Sequence, residues 1–303
     1  MRYTDPMMVL GIAASLLIGV LLGLLGGGGS ILTVPLLVYV LGVEPKTAIA
    51  MSLLVVGVTS ASAAGLHALA GRVRWRTAFV FGAGGMSGAF VGGRVSGLLP
   101  PGVLLLLFTA VMVAAAVSML RRKDSPAPAP EVVPARLPVA RVLVQGGAVG
   151  LLSGLVGAGG GFLIVPALVL LGLATPIAMA TSLVVISLQC TAGLLGHLGH
   201  VHLPWGLTAA VLATAVGGSF IGGRLAGRIA AGTLRKGFAW FVLGTASFMV
   251  MAQTPPELRA RVTPLLATPW PWLGLVGLVG AAVLPLRLLL RGAPARSDPG
   301  HGD

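Results

Sequence analysis

Gly23-Leu24-Leu25-Gly26-Gly27-Gly28-Gly29-Ser30-Ile31-Leu32-Thr33-Val34-Pro35 returns later in the chain as Gly154-Leu155-Val156-Gly157-Ala158-Gly159-Gly160-Gly161-Phe162-Leu163-Ile164-Val165-Pro166. Each copy lies within an apolar stretch, so a glycine run interrupts a helix at membrane depth. Glycine weakens the helix and removes the side chains that shield its backbone, and lipid tolerates exposed backbone only where protein or a water-filled cavity covers it. Two interruptions at matching places in a duplicated unit point to a central site, the pattern of a transporter.

Composition decides the solvent. Charged residues make up 9% of the 303 and hydrophobic ones 56%, and apolar stretches of membrane-spanning length follow one another along most of the chain, which defines a polytopic membrane protein. The 46 glycines, about twice the ~7% of average usage, suit close helix packing in lipid. The net charge of +13 sits mainly in short loops and tails beside apolar segments, so it marks membrane orientation and not a nucleic-acid partner. Cys190, the sole cysteine, rules out an intramolecular disulfide or a cysteine zinc cluster and reads as a small buried apolar side chain. Met1 to Pro6 lead into a long apolar run without a small-residue cleavage pattern, so a first helix is expected there in place of a removed signal peptide.

Apolar stretches fall at about 7–25, 30–42, 47–70, 77–99 and 102–120 and end at Arg121-Arg122-Lys123. Asp124 to Pro138 holds Pro126, Pro128, Pro130, Pro134 and Pro138, an extended linker by composition. The series restarts at about 140–157, 161–173, 177–199, 203–231 and 235–252, and a polar loop then leads to one extra apolar segment at about 270–286. The expected domains are a first membrane repeat (1–121), a Pro-rich cytoplasmic linker (122–138), a second repeat (139–252), and a loop, extra transmembrane helix and basic tail (253–303).

Register between the halves is tight. Pro35 pairs with Pro166 at an offset of 131; past one deletion, Ser52 pairs with Ser182, His67 with His197, Trp75 with Trp205 and Gly92-Gly93-Arg94 with Gly222-Gly223-Arg224 at an offset of 130. Segments 30–42 and 161–173 are too short to cross a ~30 Å hydrocarbon layer at ~1.5 Å per residue, so each reads as half of a broken or re-entrant helix. Arg72, Arg74 and Arg76 make the turn near Trp75 basic, whereas the matching turn near Trp205 has only His200 and His202. Conversely, the turn at 95–102 has no Lys or Arg, whereas its match carries Arg224, Arg228, Arg235 and Lys236. Positive loops stay cytoplasmic, so the swap predicts inverted repeats. The expected fold is an all-α integral membrane protein: a duplicated four-to-five-segment unit, inverted, with broken Gly-rich helices and one extra C-terminal helix.

Several motifs at fixed spacing now combine: a Gly-rich run ending in Val-Pro, a downstream Pro-x-x-Ala, Thr181-Ser182-Leu183, a His before a Gly-x-Val turn, and a closing Gly-Gly. In this the chain resembles the sulfite exporter TauE/SafE family of membrane transporters over about residues 10–250, in both halves. The first half departs from the pattern with Met51 before Ser52. The resemblance implies export of small sulfur-containing anions, such as sulfite or sulfonates, across a bacterial cytoplasmic membrane, and leaves the substrate open.

The residues themselves favour an anion. A broken helix exposes unpaired amides at the start of its second part, where the partial positive charge attracts anions; here these run from Gly27 to Ile31 in one half and from Ala158 to Phe162 in the other, with Gly27, Gly28, Gly29, Ser30, Gly159, Gly160 and Gly161 as substrate-binding candidates. Every Asp and Glu lies outside the apolar segments, which argues against a buried carboxylate relay or carboxylate-held cation. Polar candidates beside the breaks are Ser30, Thr33, Ser52, Thr181, Ser182, Ser187 and Gln189, weighed against hydroxyls bonding back to their own helices. His67 and His197 suit proton coupling, against the plainer reading of a histidine bonding a carbonyl at the interface. Arg94 and Arg224 read as entrance charges or as snorkelling side chains. No phosphate-binding loop, catalytic constellation or metal-ligand set stands out, so neither an enzyme nor a cofactor is expected. The expected partners are the bilayer and a small inorganic or organosulfur anion. The competing reading is a membrane-embedded scaffold for sulfur metabolism without transport.

Overall fold

The computed structural model describes residues 5–25, 28–121, 139–225 and 231–253. Gly26, Gly27, Arg228, the linker at 122–138 and the extra segment at 270–286 lie outside the described residues. Every regular element among the described residues is helical.

The first half consists of α1 (Asp5–Leu25), α2 (28–40), α3 (Pro45–Leu69), α4 (Trp75–Ser96) and α5 (Pro101–Arg121). The second half repeats the order with α6 (Val139–Val156), α7 (Gly161–Leu170), α8 (Thr175–His197), α9 (Trp205–Leu225) and α10 (Ala231–Gln253). Among the described residues, five helices are long and apolar enough to cross a membrane: Pro45–Leu69, Pro101–Arg121, Val139–Val156, Pro176–His197 and Trp205–Leu225. The two short segments remain short. At ~1.5 Å per residue, the 10 residues of α7 reach only about half of a ~30 Å layer.

Proline and glycine set the boundaries. Pro45 and Pro176 stand in the first turns of α3 and α8, where a missing N–H costs nothing. Gly71 and Gly172 adopt φ of 67° and 93° just beyond α3 and α7, a left-handed conformation that stops a helix. Pro35 and Pro166 interrupt the hydrogen-bond ladder of the short segments. In α2, a 3-10 turn (Gly28–Leu32) and one α turn (Thr33–Pro35) give way after the proline to a π stretch (Leu36–Val40).

The halves interlock through equivalent contacts. α1 packs on α9 and α4 packs on α6, each pair running parallel with bare glycine backbone at the contact. A Cβ built at Gly19 of α1 would lie 2.8 Å from the Ala215 Cα of α9. One at Gly150 of α6 would lie 2.8 Å from the Gly85 Cα of α4. Gly19 and Gly150 are repeat equivalents, as are Gly85 and Ala215, so one contact is built twice.

Helix direction follows from three contacts. Lys46 Nζ, at the start of α3, donates to Gly97 O at the end of α4 over 2.9 Å, and Ser96 Oγ beside it lies 2.9 Å from His197 Nε2 at the end of α8. At the opposite end, the Arg74 N–H before α4 donates to Thr181 Oγ1 near the start of α8 over 3.1 Å. α4 and α8 are thus parallel, and α3 runs antiparallel to its own repeat equivalent, α8. Apolar clusters fill the remaining space. One gathers Ile31, Val34, Phe108, Met112 and Val242, and another gathers Leu53, Phe81, Ile164, Leu168 and Ile186.

Candidate functional site

The break between α6 and α7 is buried against residues of α2, α3 and α8. Gly157, Gly159 and Gly160 take φ of 73°, 66° and 70°, so the chain alternates into the left-handed region that side-chain-bearing residues avoid. Space demands glycine as well: a Cβ at Gly159 would lie 2.5 Å from Val56 Cγ1, and one at Gly160 would lie 2.6 Å from Gln189 Nε2. Successive N–H groups in such a turn converge on one side and form a concavity suited to an anion.

The two edges of this turn are treated differently. Four consecutive carbonyls are occupied. Gly157 O accepts from Ser52 Oγ at 2.5 Å and Ala158 O from Ser30 Oγ at 2.6 Å, while Gly159 O accepts from Gln189 Nε2 at 2.8 Å. Gly160 O takes the Leu163 and Ile164 amides, each at 2.9 Å. On the other edge, the Gly157 amide donates to Ser153 O at 2.8 Å and the next amide with a partner is that of Leu163. The N–H groups of Ala158, Gly159, Gly160, Gly161 and Phe162 meet no acceptor among the described residues. Buried amides are nearly always bonded, so five in succession leave this face of the turn with unmet donors, Gly161 and Phe162 among them as the open start of α7. The amide face is also the positive start of α7.

Two buried side chains add open valences. Ser153 Oγ and Gln189 Oε1 lack partners among the described residues, and both residues are nearly inaccessible. The Gln189 orientation is fixed, since only its NH2 can donate to Gly159 O. Ser153 lies one turn before the break and contacts the space beside Gly160: a Cβ there would be 3.4 Å from Ser153 Oγ. Sequence reasoning missed Ser153; its signal was its i−4 relation to Gly157, visible only once the helix end is known.

The remaining expected residues divide. Ser30, Ser52, Gly159, Gly160, Gly161 and Gln189 come together at this break. Gly28 and Gly29 belong to the 3-10 turn that leads into Ser30, and Thr33, one turn further, keeps a buried hydroxyl without a partner. Gly27 lies outside the described residues. Ser182 Oγ donates to Met179 O of its own helix at 2.7 Å. Thr181 sits elsewhere, capping the start of α4 through the Arg74 amide. Ser187 O accepts from Thr191 Oγ1 within α8. His67 is half-buried at the end of α3, whereas His197 is wholly buried against α4, with Nδ1 2.9 Å from Gly193 O. The Arg94 guanidinium lies over the Phe90 ring at 5.7 Å.

A multi-pass helical bundle with a buried, broken-helix polar centre defines the class of membrane transporters. Residues 11–249 match the family described as Sulfite exporter TauE/SafE, and the chain belongs to that family. It is 35% identical over 255 residues to a "Probable membrane transporter protein" of Xylella fastidiosa strain Temecula1, covering 82% of this chain and 96% of that one. It is also 31% identical over 244 residues to the "Probable membrane transporter protein YunE" of Bacillus subtilis strain 168, covering 72% and 86%. A "Probable membrane transporter protein" of Haemophilus influenzae is 26% identical over 258 residues, covering 78% and 95%. No solved structure matches the chain.

Proposed function

We propose that the chain is a secondary transporter or facilitator that moves a small anion of the sulfite, sulfonate or related organosulfur class across the bacterial cytoplasmic membrane. The observation that carries this reading is the pair of unlike edges at 157–162: carbonyls occupied by Ser52, Ser30 and Gln189, amides open. A row of open amides, with no buried Asp or Glu among the described residues, suits a multi-oxygen anion over a metal cation, and the open Gln189 Oε1 beside them can accept from a protonated or hydroxyl-bearing group of the anion. Ser153 Oγ supplies one more donor beside the amides. The sulfur class rests on family membership, and the anionic charge on the geometry.

The two halves are proposed to lie inverted in the bilayer, residues 1–121 against 139–252. Antiparallel α3 and α8 support this arrangement, and so does the swap of basic loops between Arg72–Arg76 and Arg224–Lys236. A reporter fused after Trp75 is expected inside the cell and one after Trp205 outside.

Purified protein in liposomes, tested for flux of sulfite, thiosulfate, sulfoacetate and sulfate, is expected to move at least one of the first three. Empty liposomes are the control. Correctly inserted protein that moves none of the four would overturn the transport reading and leave the scaffold alternative.

A further inference from the structure

We propose that His200, Ser96 and His197 form a proton relay from solvent into the α4–α8 interface, and that this relay couples proton movement to transport. The coupling rests on the proposed transport function; the relay rests on hydrogen-bond counting.

The Nδ1 of His197 lies 2.9 Å from the carbonyl of Gly193, and a carbonyl only accepts, so Nδ1 carries a proton. Its Nε2 lies 2.9 Å from Ser96 Oγ, and that hydroxyl lies 2.7 Å from Gly93 O, a second acceptor. Ser96 has one proton to share between Gly93 O and His197 Nε2. With His197 neutral, one of these two contacts is left as facing lone pairs. With His197 protonated, all three bonds form at once: Nδ1–H to Gly193 O, Nε2–H to Ser96 Oγ, and Ser96 O–H to Gly93 O. Heavy atoms held at these distances suit an imidazole that gains and loses a proton against a hydroxyl that turns.

A donor stands at the outer side. His200 is exposed, and its Nε2 lies 3.4 Å from the same Ser96 oxygen. The two rings are 5.5 Å apart between centroids. In the transfer, a protonated His200 gives its Nε2 proton to Ser96 Oγ while the Ser96 proton passes to His197 Nε2. His200 returns to neutral, His197 becomes an imidazolium, and the new Ser96 proton turns to Gly93 O. Atoms and charge balance without another reactant.

The surroundings favour passage over storage. Among the described residues, the charged groups acting on the pair are cationic: Lys46 from α3 and Arg94 from α4 act on His200, which faces His197. Partial burial first, then Lys46 and Arg94, hold His200 below the ordinary imidazole range, so it releases a proton readily. Glycines on α4 make the room: a Cβ at Gly93 would lie 2.9 Å from His197 Nδ1, and one at Gly97 would lie 3.0 Å from His200 Nδ1. The other half lacks this arrangement in its sequence, since Ala226 stands where the repeat matches Ser96 and Ala70 where it matches His200. In the orientation proposed above, the relay opens to the cell exterior, the side from which protons enter.

The test uses ethanesulfonate and thiosulfate, which stay ionised near neutrality, in liposomes loaded with a pH-sensitive dye. Wild-type protein is expected to move protons together with anion, and Ser96→Ala and His200→Ala are expected to lose the proton movement while anion still runs down its own gradient. Proton movement per anion unchanged in both variants would overturn the relay. His200 is exposed, so its variant tests the idea even where Ser96→Ala does not fold. Histidine nitrogen NMR supplies a readout free of transport: the His197 titration is expected to shift by about one pH unit, a tenfold change, in Ser96→Ala or, where that does not fold, in His200→Ala. Wild-type liposomes that carry neither anion would count against the proposed function, and the relay then stands or falls on that shift: no shift overturns it.

Discussion

The two halves are alike where helices pack and unlike where they break. Gly19 on Ala215 and Gly150 on Gly85 are the same contact at equivalent positions, and Gly154 on Ala89 repeats Gly23 on Ser219. In the described residues beside the breaks the symmetry fails. The second turns on three left-handed glycines, whereas described residues 28–40 wind through 3-10, α and π geometry. Polar groups follow the same division. Gln189 and Ser153 face the second break, and their equivalents are Thr59, which bonds within its own helix, and Leu22. Duplication supplied a symmetric frame, and divergence has given the Gln189 and Ser153 positions different side chains in the two halves.

If the frame is symmetric, damage to either copy must be equally severe. Leucine at Gly19 or at Gly150 drives a side chain into backbone that cannot retreat, since real Cβ atoms essentially never approach closer than 3.0 Å and both would start at 2.8 Å from a Cα. Both variants are expected to lose monodisperse protein on gel filtration. One tolerated and one lost would break the symmetry of the frame.

The asymmetry of the breaks predicts a second, sharper contrast. Gly159→Ala places a side chain at φ 66°, costing about 1–2 kcal/mol from the backbone alone, and its Cβ collides with Val56. Gly28→Ala falls in a right-handed 3-10 turn. Anion flux per inserted protein is expected to vanish in the first and persist in the second. Equal loss in both would return the site to the two breaks jointly.

The hydroxyls rank in the same way. The one Ser52 hydroxyl proton is shared between Ile49 O in its own helix and Gly157 O in the other half, whereas Ser182 Oγ donates to Met179 O. Ser52→Ala leaves a buried carbonyl short of a donor and is expected to lower stability by about 1–3 kcal/mol. Ser182→Ala removes a bond back to its own helix and is expected to change stability much less than Ser52→Ala. Thermal unfolding in detergent compares the two directly, and a larger loss from Ser182 would invert the ranking of the halves.

What the sequence made legible follows from its repeat. The offsets of 131 and 130 exposed the duplication, both short segments and the pairing of Ser52 with Ser182, because each is written in local spacing. Ser153 stayed hidden, because its relevance depends on where α6 ends and how the next four residues turn. The link from Ser96 to His197 was equally out of reach, since it joins residues 101 apart through a helix crossing that only packing defines. The direction of one hydroxyl was not legible from spacing either. Thr181 looked like a neighbour of Ser182 at the site, yet successive helix positions lie about 100° apart, and its hydroxyl turns away to Arg74.

That displacement yields the smallest expected effect. Thr181 Oγ1 accepts the amide that opens α4, so Thr181→Val removes one acceptor from a helix start and is expected to cost about 0.5–1.5 kcal/mol. Because the residue stands at the end of α8 remote from the Ser96–His197 contact and bonds no atom of the 157–162 turn, flux per folded protein is expected to stay within about twofold of wild type, under 0.5 kcal/mol in transport terms. A loss of anion affinity with stability unchanged would move Thr181 back to the centre and make α8 contribute at both ends of the pathway.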